Sequence, residues 1–191
     1  RDAFKVINDK PIAKVYPRDN KIEPIKNYNS RDNGNKENKK KKHMINADSK
    51  FDDSIGLLKV YPGQDPDILD YYLKKGYKGL VLEMSGLGHA PTSRARAGKS
   101  WTNKLREVQS QGMIIVATQQ TLYGRLDPWV YSNGRELQKT GIIYLKDMLP
   151  ETAFVKLGWV LGHKDWFLGE NKKEKVREIM LFNIAGEFND R

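Results

Sequence analysis

Cysteine is absent from the 191 residues, which removes disulfides, thiolate metal sites and cysteine nucleophiles from consideration. Histidine is scarce: His43, His89 and His163 are the full set, and no two share a metal-ligand spacing. No apolar run approaches the length of a membrane span and nothing resembles a signal peptide, so a cytoplasmic protein without membrane contact is expected. Also missing are a phosphate-binding P-loop and a Gly-x-Ser-x-Gly elbow. The third glycine that would make a dinucleotide fingerprint of Gly86-Leu-Gly-His89 is absent too. The chain begins at Arg1, not methionine, which points to a piece of a longer product.

What is present supports a packed core. Hydrophobic residues make up 38% of the chain, with four Trp, nine Tyr and six Phe, against a charged fraction of 30%. The net charge of +10 is unevenly placed. Residues 1–45 hold 13 Lys and Arg against 6 Asp and Glu, a net of +7, leaving +3 for the remainder. The excess centres on Asn33-Gly-Asn-Lys-Glu-Asn-Lys-Lys-Lys-Lys42. Such a run could steer a polyanion such as RNA. No aromatic residue interleaves with the lysines as a stacking platform would require, so a solvated loop is the simpler reading.

Ile12–Tyr16 reads as a strand ended by Pro17, and residues 18–42 as an aperiodic linker, with a soft boundary near residue 43. The punctuation then alternates. Ser54–Tyr61 predicts a strand stopped by Pro62-Gly63. Asp65-Pro66 opens a helix carrying Ile68, Leu69, Tyr72 and Leu73, with Gly76 as its stop. Lys78–Glu83 is a second strand, Lys99–Gln111 a helix with Trp101, Leu105 and Val108 on one face, and Met113–Ala117 a third strand. A short helix (134–139), a short strand (142–144) and two further helices (151–163 and 174–183) follow, and residues 184–191 read as a weakly ordered tail. The expectation is an α/β fold, a small doubly wound parallel sheet flanked by helices.

In such a sheet, ligands bind beyond the carboxyl ends of the strands. Two loops qualify: Gly86-Leu-Gly-His89 after the second strand and Thr118-Gln-Gln-Thr-Leu-Tyr-Gly-Arg125 after the third. They nominate Gly88 and His89 on the first, and Gln119, Gln120 and Tyr123 as a possible pocket on the second. His89 either faces a ligand or fixes its loop by a backbone hydrogen bond. His43 beside the lysines and His163 at a helix end read as structural, the latter complementing the helix dipole. Glu83, Asp52 and Asp53 have no evident partner base, and Trp101, Trp159 and Trp166 read as packing residues. The residues describe a crevice without a visible nucleophile.

Gly86-Leu-Gly-His-Ala-Pro91 followed by Thr118–Arg125 and Val130-Tyr-Ser-Asn-Gly-Arg-Glu-Leu137 resembles the C-terminal domain of the asparaginase/glutaminase family. Ser54–Gly63, Asp147–Lys156 and Asn183-Ile-Ala-Gly-Glu187 resemble its archaeal branch, the D subunits of glutamyl-tRNA(Gln) amidotransferases. The likeness implies that residues 1–42 are the end of a preceding N-terminal domain and a basic flexible linker, and that residues 43–191 are the C-terminal domain. It implies amide hydrolysis by threonines, an aspartate and a lysine of the N-terminal domain, so no catalytic residue and no metal ligand is expected here. Gly88 and His89 would lie near substrate across a subunit interface. His89 stands where many asparaginases have Asn, and Gln120 where many relatives have Cys. The implied partners are further copies of the chain, an E subunit that holds ATP and Mg²⁺, and Glu-tRNA(Gln) through the complex. No cofactor is expected on this chain. A free-standing cytoplasmic L-asparaginase is the second reading, and a basic RNA-binding module the third.

Overall fold

The apolar runs of the sequence become the interior of one parallel sheet in the computed structural model, which describes residues 10–25, 47–92, 99–168 and 171–189. The basic run 33–42, His43 and the boundary expected near residue 43 lie outside the described residues. The chain divides into two compact units, residues 1–48 and 49–191.

In the first unit, β1 (Ala13–Tyr16) and β2 (Lys21–Pro24) form an antiparallel hairpin in which Val15 pairs with Ile22. A 3₁₀ turn at Pro17–Asp19 and a left-handed Asn20 (φ 47°) reverse the chain, a conformation that asparagine tolerates better than most residues. The second strand falls in the stretch read as linker from sequence. Both Val15 and Ile22 are exposed, so backbone pairing and turn chemistry define this hairpin rather than an apolar face.

The second unit carries four strands, β3 (Ile55–Lys59), β4 (Gly79–Met84), β5 (Ile114–Gln119) and β6 (Ile143–Tyr144). All pair in parallel, in the order β3-β4-β5-β6. β5 is buried along its whole length, and β4 at every residue but Glu83, as expected of central strands covered on both faces. The crossovers are α1 (Ile68–Lys74), α2 (Trp101–Ser110) and α3 (Ser132–Gln138). Their Leu69, Trp101, Leu105, Val108 and Leu137 pack with Leu80, Leu82 and Ile115 on one side of the sheet. The opposite side, with Ile55, Val81, Ile114, Val116 and Ile143, is covered by α4 (Pro150–Gly162) and α5 (Lys172–Leu181). The parallel sheet flanked by helices is therefore as the sequence leads one to expect, with one refinement. Strand order follows chain order without reversal, so every crossover falls on one face and the C-terminal helices supply the second layer.

Local chemistry explains the boundaries. Asp65 caps its turn as predicted, its side chain accepting from the Asp67 N–H at 3.0 Å, but regular α-helix begins only at Ile68. Gly158 of α4 lies so close to the Phe51 ring that any side chain there would collide with it, which lets helix and sheet approach. Asp52, which showed no partner in the sequence, meets Lys78 at 2.6 Å and the Ser54 N–H at 3.0 Å. Burial raises the affinity of its carboxyl for a proton, yet the Lys78 ammonium and the Ser54 donors outweigh it and hold the group below the usual carboxylate range.

The tail expected to be loose is ordered through residue 189. Asn183 accepts from the Gly186 and Glu187 N–H groups at 2.9 and 3.0 Å, and Glu187 accepts from Ile184 and Ala185 at 2.8 Å each. Beneath them, buried Lys156 meets Glu187 at 2.9 Å and donates to the Phe182 carbonyl at 2.6 Å. Asn189 donates twice to Asp147, and Phe188 is buried in the core.

Candidate functional site

The loop after β4 is a closed turn. Ser85 and His89 form an isolated antiparallel bridge: the Ser85 N–H and hydroxyl both donate to the His89 carbonyl, at 3.1 and 3.0 Å, and the His89 N–H returns to Ser85 at 2.8 Å. Such a tight reversal needs left-handed backbone, and Gly86 (φ 50°) and Gly88 (φ 104°) provide it. Gly88 also has no room for a side chain. A Cβ there would sit 2.7 Å from the Tyr144 ring and 3.0 Å from Leu126. Tyr144 locks the position from β6, donating its hydroxyl to the Gly88 carbonyl at 3.1 Å. Burial pushes the Tyr144 phenol well above its ordinary value, so it stays a donor across the physiological range.

This frame holds His89 in an unusual state. Its backbone is fully engaged, while its Nε2 is buried without a hydrogen-bond partner. The imidazole meets the Tyr131 ring edge-on, centroids 5.4 Å apart. Together with Ser132 and Asn133 the two rings line a cavity of about 310 Å³. No hydrogen bond links Ser132 to His89. A buried unpaired ring nitrogen costs free energy, on the order of 1–3 kcal/mol, unless a ligand completes it.

The loop after β5 divides the other nominated residues. Gln119 is buried, donates to the Gly124 carbonyl at 3.0 Å and leaves its Oε1 unpaired. Gln120 points elsewhere: its amide donates to the carbonyls of Val60 and Glu83, the latter at 2.8 Å, tying the ends of β3 and β4 to β5. Tyr123 is exposed. Gly88 and His89 thus share one locked turn, whereas Gln119, Gln120 and Tyr123 do not line the cavity beside His89. The residues that do, Tyr131, Ser132 and Asn133, had no role assigned from sequence. Their signal was available, since they follow β5 in the same connection as Thr118–Arg125 and fall inside the Val130–Leu137 motif.

His163 is buried at the end of α4, stacked on Trp166 at 3.9 Å and edge-on to Trp159, with its Nδ1 2.8 Å from the Trp159 carbonyl. Among the described residues no group of three or more His, Asp or Glu is arranged to hold a metal ion. No helix among them is long and apolar enough to cross a membrane.

A parallel α/β sheet with a locked glycine turn at a strand's carboxyl end is an architecture whose loops, not its sheet, lie where ligands bind in open α/β folds. Residues 54–180 match the family described as the glutaminase/asparaginase C-terminal domain. The chain belongs to that family. It is 44% identical over 188 residues to the D subunit of the glutamyl-tRNA(Gln) amidotransferase from Thermococcus kodakarensis, covering 98% of this chain and 38% of that protein. The D subunit of the same name from Sulfolobus acidocaldarius is 40% identical over 190 residues, covering 99% and 37%. Among solved structures, the thermostable L-asparaginase from Thermococcus kodakarensis superposes with a TM-score of 0.76 at 28% identity, covering 100% of this chain and 51% of that one. L-asparaginase I of Vibrio cholerae shares the fold, with a TM-score of 0.75 at 24% identity over 98% of this chain and 50% of its own. The chain spans about two fifths of the length of the curated relatives it matches.

Proposed function

We propose that this chain is the C-terminal part of the ammonia-releasing glutaminase subunit of a Glu-tRNA(Gln) amidotransferase, the D subunit of a complex that forms Gln-tRNA(Gln). The observation that carries the reading is the likeness, at 44% and 40% identity over nearly the whole chain, to proteins of that name. The likeness to an L-asparaginase is lower, at 28% over the same span.

The site supports a division of labour. Amide hydrolysis requires a nucleophile with a base beside it. The glycine turn offers a fixed wall, an imidazole with one free nitrogen and a phenol ring. In this reading the catalytic threonines belong to the N-terminal region, residues 1–42 are the end of that domain and its linker, and residues 43–191 form the C-terminal domain. Gly88 and His89 are lent across an interface between copies of the chain. His89 Nε2 then contacts the substrate glutamine, and Tyr131 sets the ring's angle. The E subunit carries ATP and Mg²⁺ and receives the ammonia. The alternative, a free-standing L-asparaginase, draws on the superposition of this whole chain on 51% of one.

The full-length protein with its E partner, supplied with glutamine, ATP, Mg²⁺ and Glu-tRNA(Gln), decides between them. The amidotransferase reading expects Gln-tRNA(Gln), and little asparagine hydrolysis without the partner. Absence of amidation by an intact complex, with brisk asparagine hydrolysis by this protein alone, would establish the alternative.

A further inference from the structure

A second cavity, of about 470 Å³, opens behind Tyr144, between the end of the loop after β5, the residues following β6, and α5. That volume suits a small-molecule ligand. Its wall has a pronounced charge. Arg125, Lys146 and Arg177 face it with Asp127, three cations against one carboxylate. Asp127 is already engaged, one of its oxygens accepting from the Trp129 N–H at 3.1 Å to shape the loop. Among the described residues no carboxylate forms an ion pair with Lys146 or Arg177. The Lys146 ammonium lies over the Phe188 ring at 4.3 Å, a contact that leaves its hydrogen-bond donors free.

Two further features distinguish this cavity from a chance accumulation of surface charge. Lys146 is one of two described non-glycine residues with positive φ, at 55°. Its carbonyl accepts from the Leu126 N–H at 2.9 Å, which ties the strained residue to the loop carrying Arg125 and Asp127. Backbone of this kind persists where surrounding structure enforces it, here a turn closed by the Met148 N–H on the Leu145 carbonyl at 3.0 Å, and it clusters at functional sites. The second feature is Trp129, on the rim of the cavity and 62% exposed. A large indole left in water beside three cations has the composition of a nucleotide site: guanidinium forks for phosphate oxygens and an aromatic face for a base.

We propose that this cavity binds the phosphate group of a nucleotide, with Lys146 and Arg177 on the phosphate and the Trp129 indole against the base. The inference goes beyond the amidase reading and does not depend on it, because binding is measured without glutamine.

Calorimetric titration of the full chain with AMP, adenosine, inorganic phosphate and a short single-stranded RNA tests it. AMP and phosphate should bind and adenosine should not, with AMP about tenfold tighter than phosphate through the stacked base. The Lys146→Asn/Arg177→Glu double variant keeps a residue suited to left-handed backbone at 146, and should weaken AMP and phosphate binding by at least about tenfold. Trp129→Ala should remove the advantage of AMP and leave phosphate binding intact, while melting curves confirm that each variant is folded. RNA binding tighter than AMP would identify an RNA strand as the source of the phosphate, and equal or weaker binding a free nucleotide. Failure of AMP to bind at millimolar concentration, equal binding of adenosine, or indifference to the double variant would overturn the proposal.

Discussion

The glycine turn after β4 and the C-terminal turn after α5 are both short loops bordered by buried polar side chains, and they treat those side chains in opposite ways. At the C-terminus the polar groups find partners: Lys156 with Glu187 and the Phe182 carbonyl, Asn183 with two N–H groups, Asp147 with Asn189. At the glycine turn the backbone is saturated, yet His89 Nε2 is left alone, and Gln119 Oε1 is unpaired on the neighbouring loop. Satisfied polar clusters fix one arrangement, whereas an isolated unsatisfied atom in an otherwise well-bonded loop keeps its bonding capacity for a ligand. In the proposed reading the first turn serves recognition, and the second serves the architecture.

The comparison can be broken most forcefully at Lys156. Lys156→Ala removes the buried ammonium, leaves the half-buried Glu187 carboxylate without its ion partner, and should lower unfolding free energy by about 3 kcal/mol, read from the urea midpoint. A loss below ~1 kcal/mol would show that the C-terminal turn is not held as described. The same variant has an acid signature. Burial raises the Glu187 pKa, but the Ala185 N–H and the Lys156 ammonium reverse this and set it below the ordinary 4.5. Its contribution is therefore complete above that value and lost as pH falls through the lower folded pKa, so wild type should show a steeper acid loss than Lys156→Ala.

Gly88→Ala comes next. A Cβ at φ 104° is strained and meets the Tyr144 ring at 2.7 Å. The expected loss is about 2 kcal/mol, and the tyrosine must move. A near-neutral result in thermal melting would mean the turn is looser than its hydrogen bonds indicate.

The smallest effect on stability, and the sharpest test of the contrast, is at His89. Because its Nε2 has no partner, His89→Ala should change unfolding free energy by less than about 1 kcal/mol. In the intact complex it should raise KM for glutamine roughly tenfold, the worth of one hydrogen bond to substrate. A stability loss comparable to that of Lys156→Ala, with unchanged KM, would make His89 a structural residue.

How much of this could be read from the sequence depended on whether the signal was local. Leu80–Leu82 and Met113–Ala117 announce buried strands by composition, and Trp101, Leu105 and Val108 announce the inner face of α2 by spacing; the structure buries all of them. The Gly86 and Gly88 turn was legible because only glycine suits its backbone. What stayed hidden was set by distant pairing. The Asp52 partner, Lys78, lies 26 positions away, and Gln120 reaches Val60 across 60. The Ile184–Asn189 turn has no regular apolar spacing, and its order comes from Asn183, Glu187, the buried Phe188 and a lysine on another helix. Tyr131 falls inside a legible motif, but its role beside His89 depends on the fold, which brings the two rings within 5.4 Å.

The unreversed strand order has a further consequence, for how the chain acquires its shape. Each strand of the sheet pairs with the one synthesised immediately before it: Ile55 opposite Gly79, Gly79 opposite Ile114, Val116 opposite Ile143. The sheet can therefore lengthen strand by strand during translation, each addition closing a loop of only a few tens of residues, which keeps the entropic cost of every step modest. One face of that growing sheet stays bare until α4 and α5 have been made. The domain's most aggregation-prone moment is thus the interval before the last helices arrive, and the Lys156–Glu187 clasp marks its end.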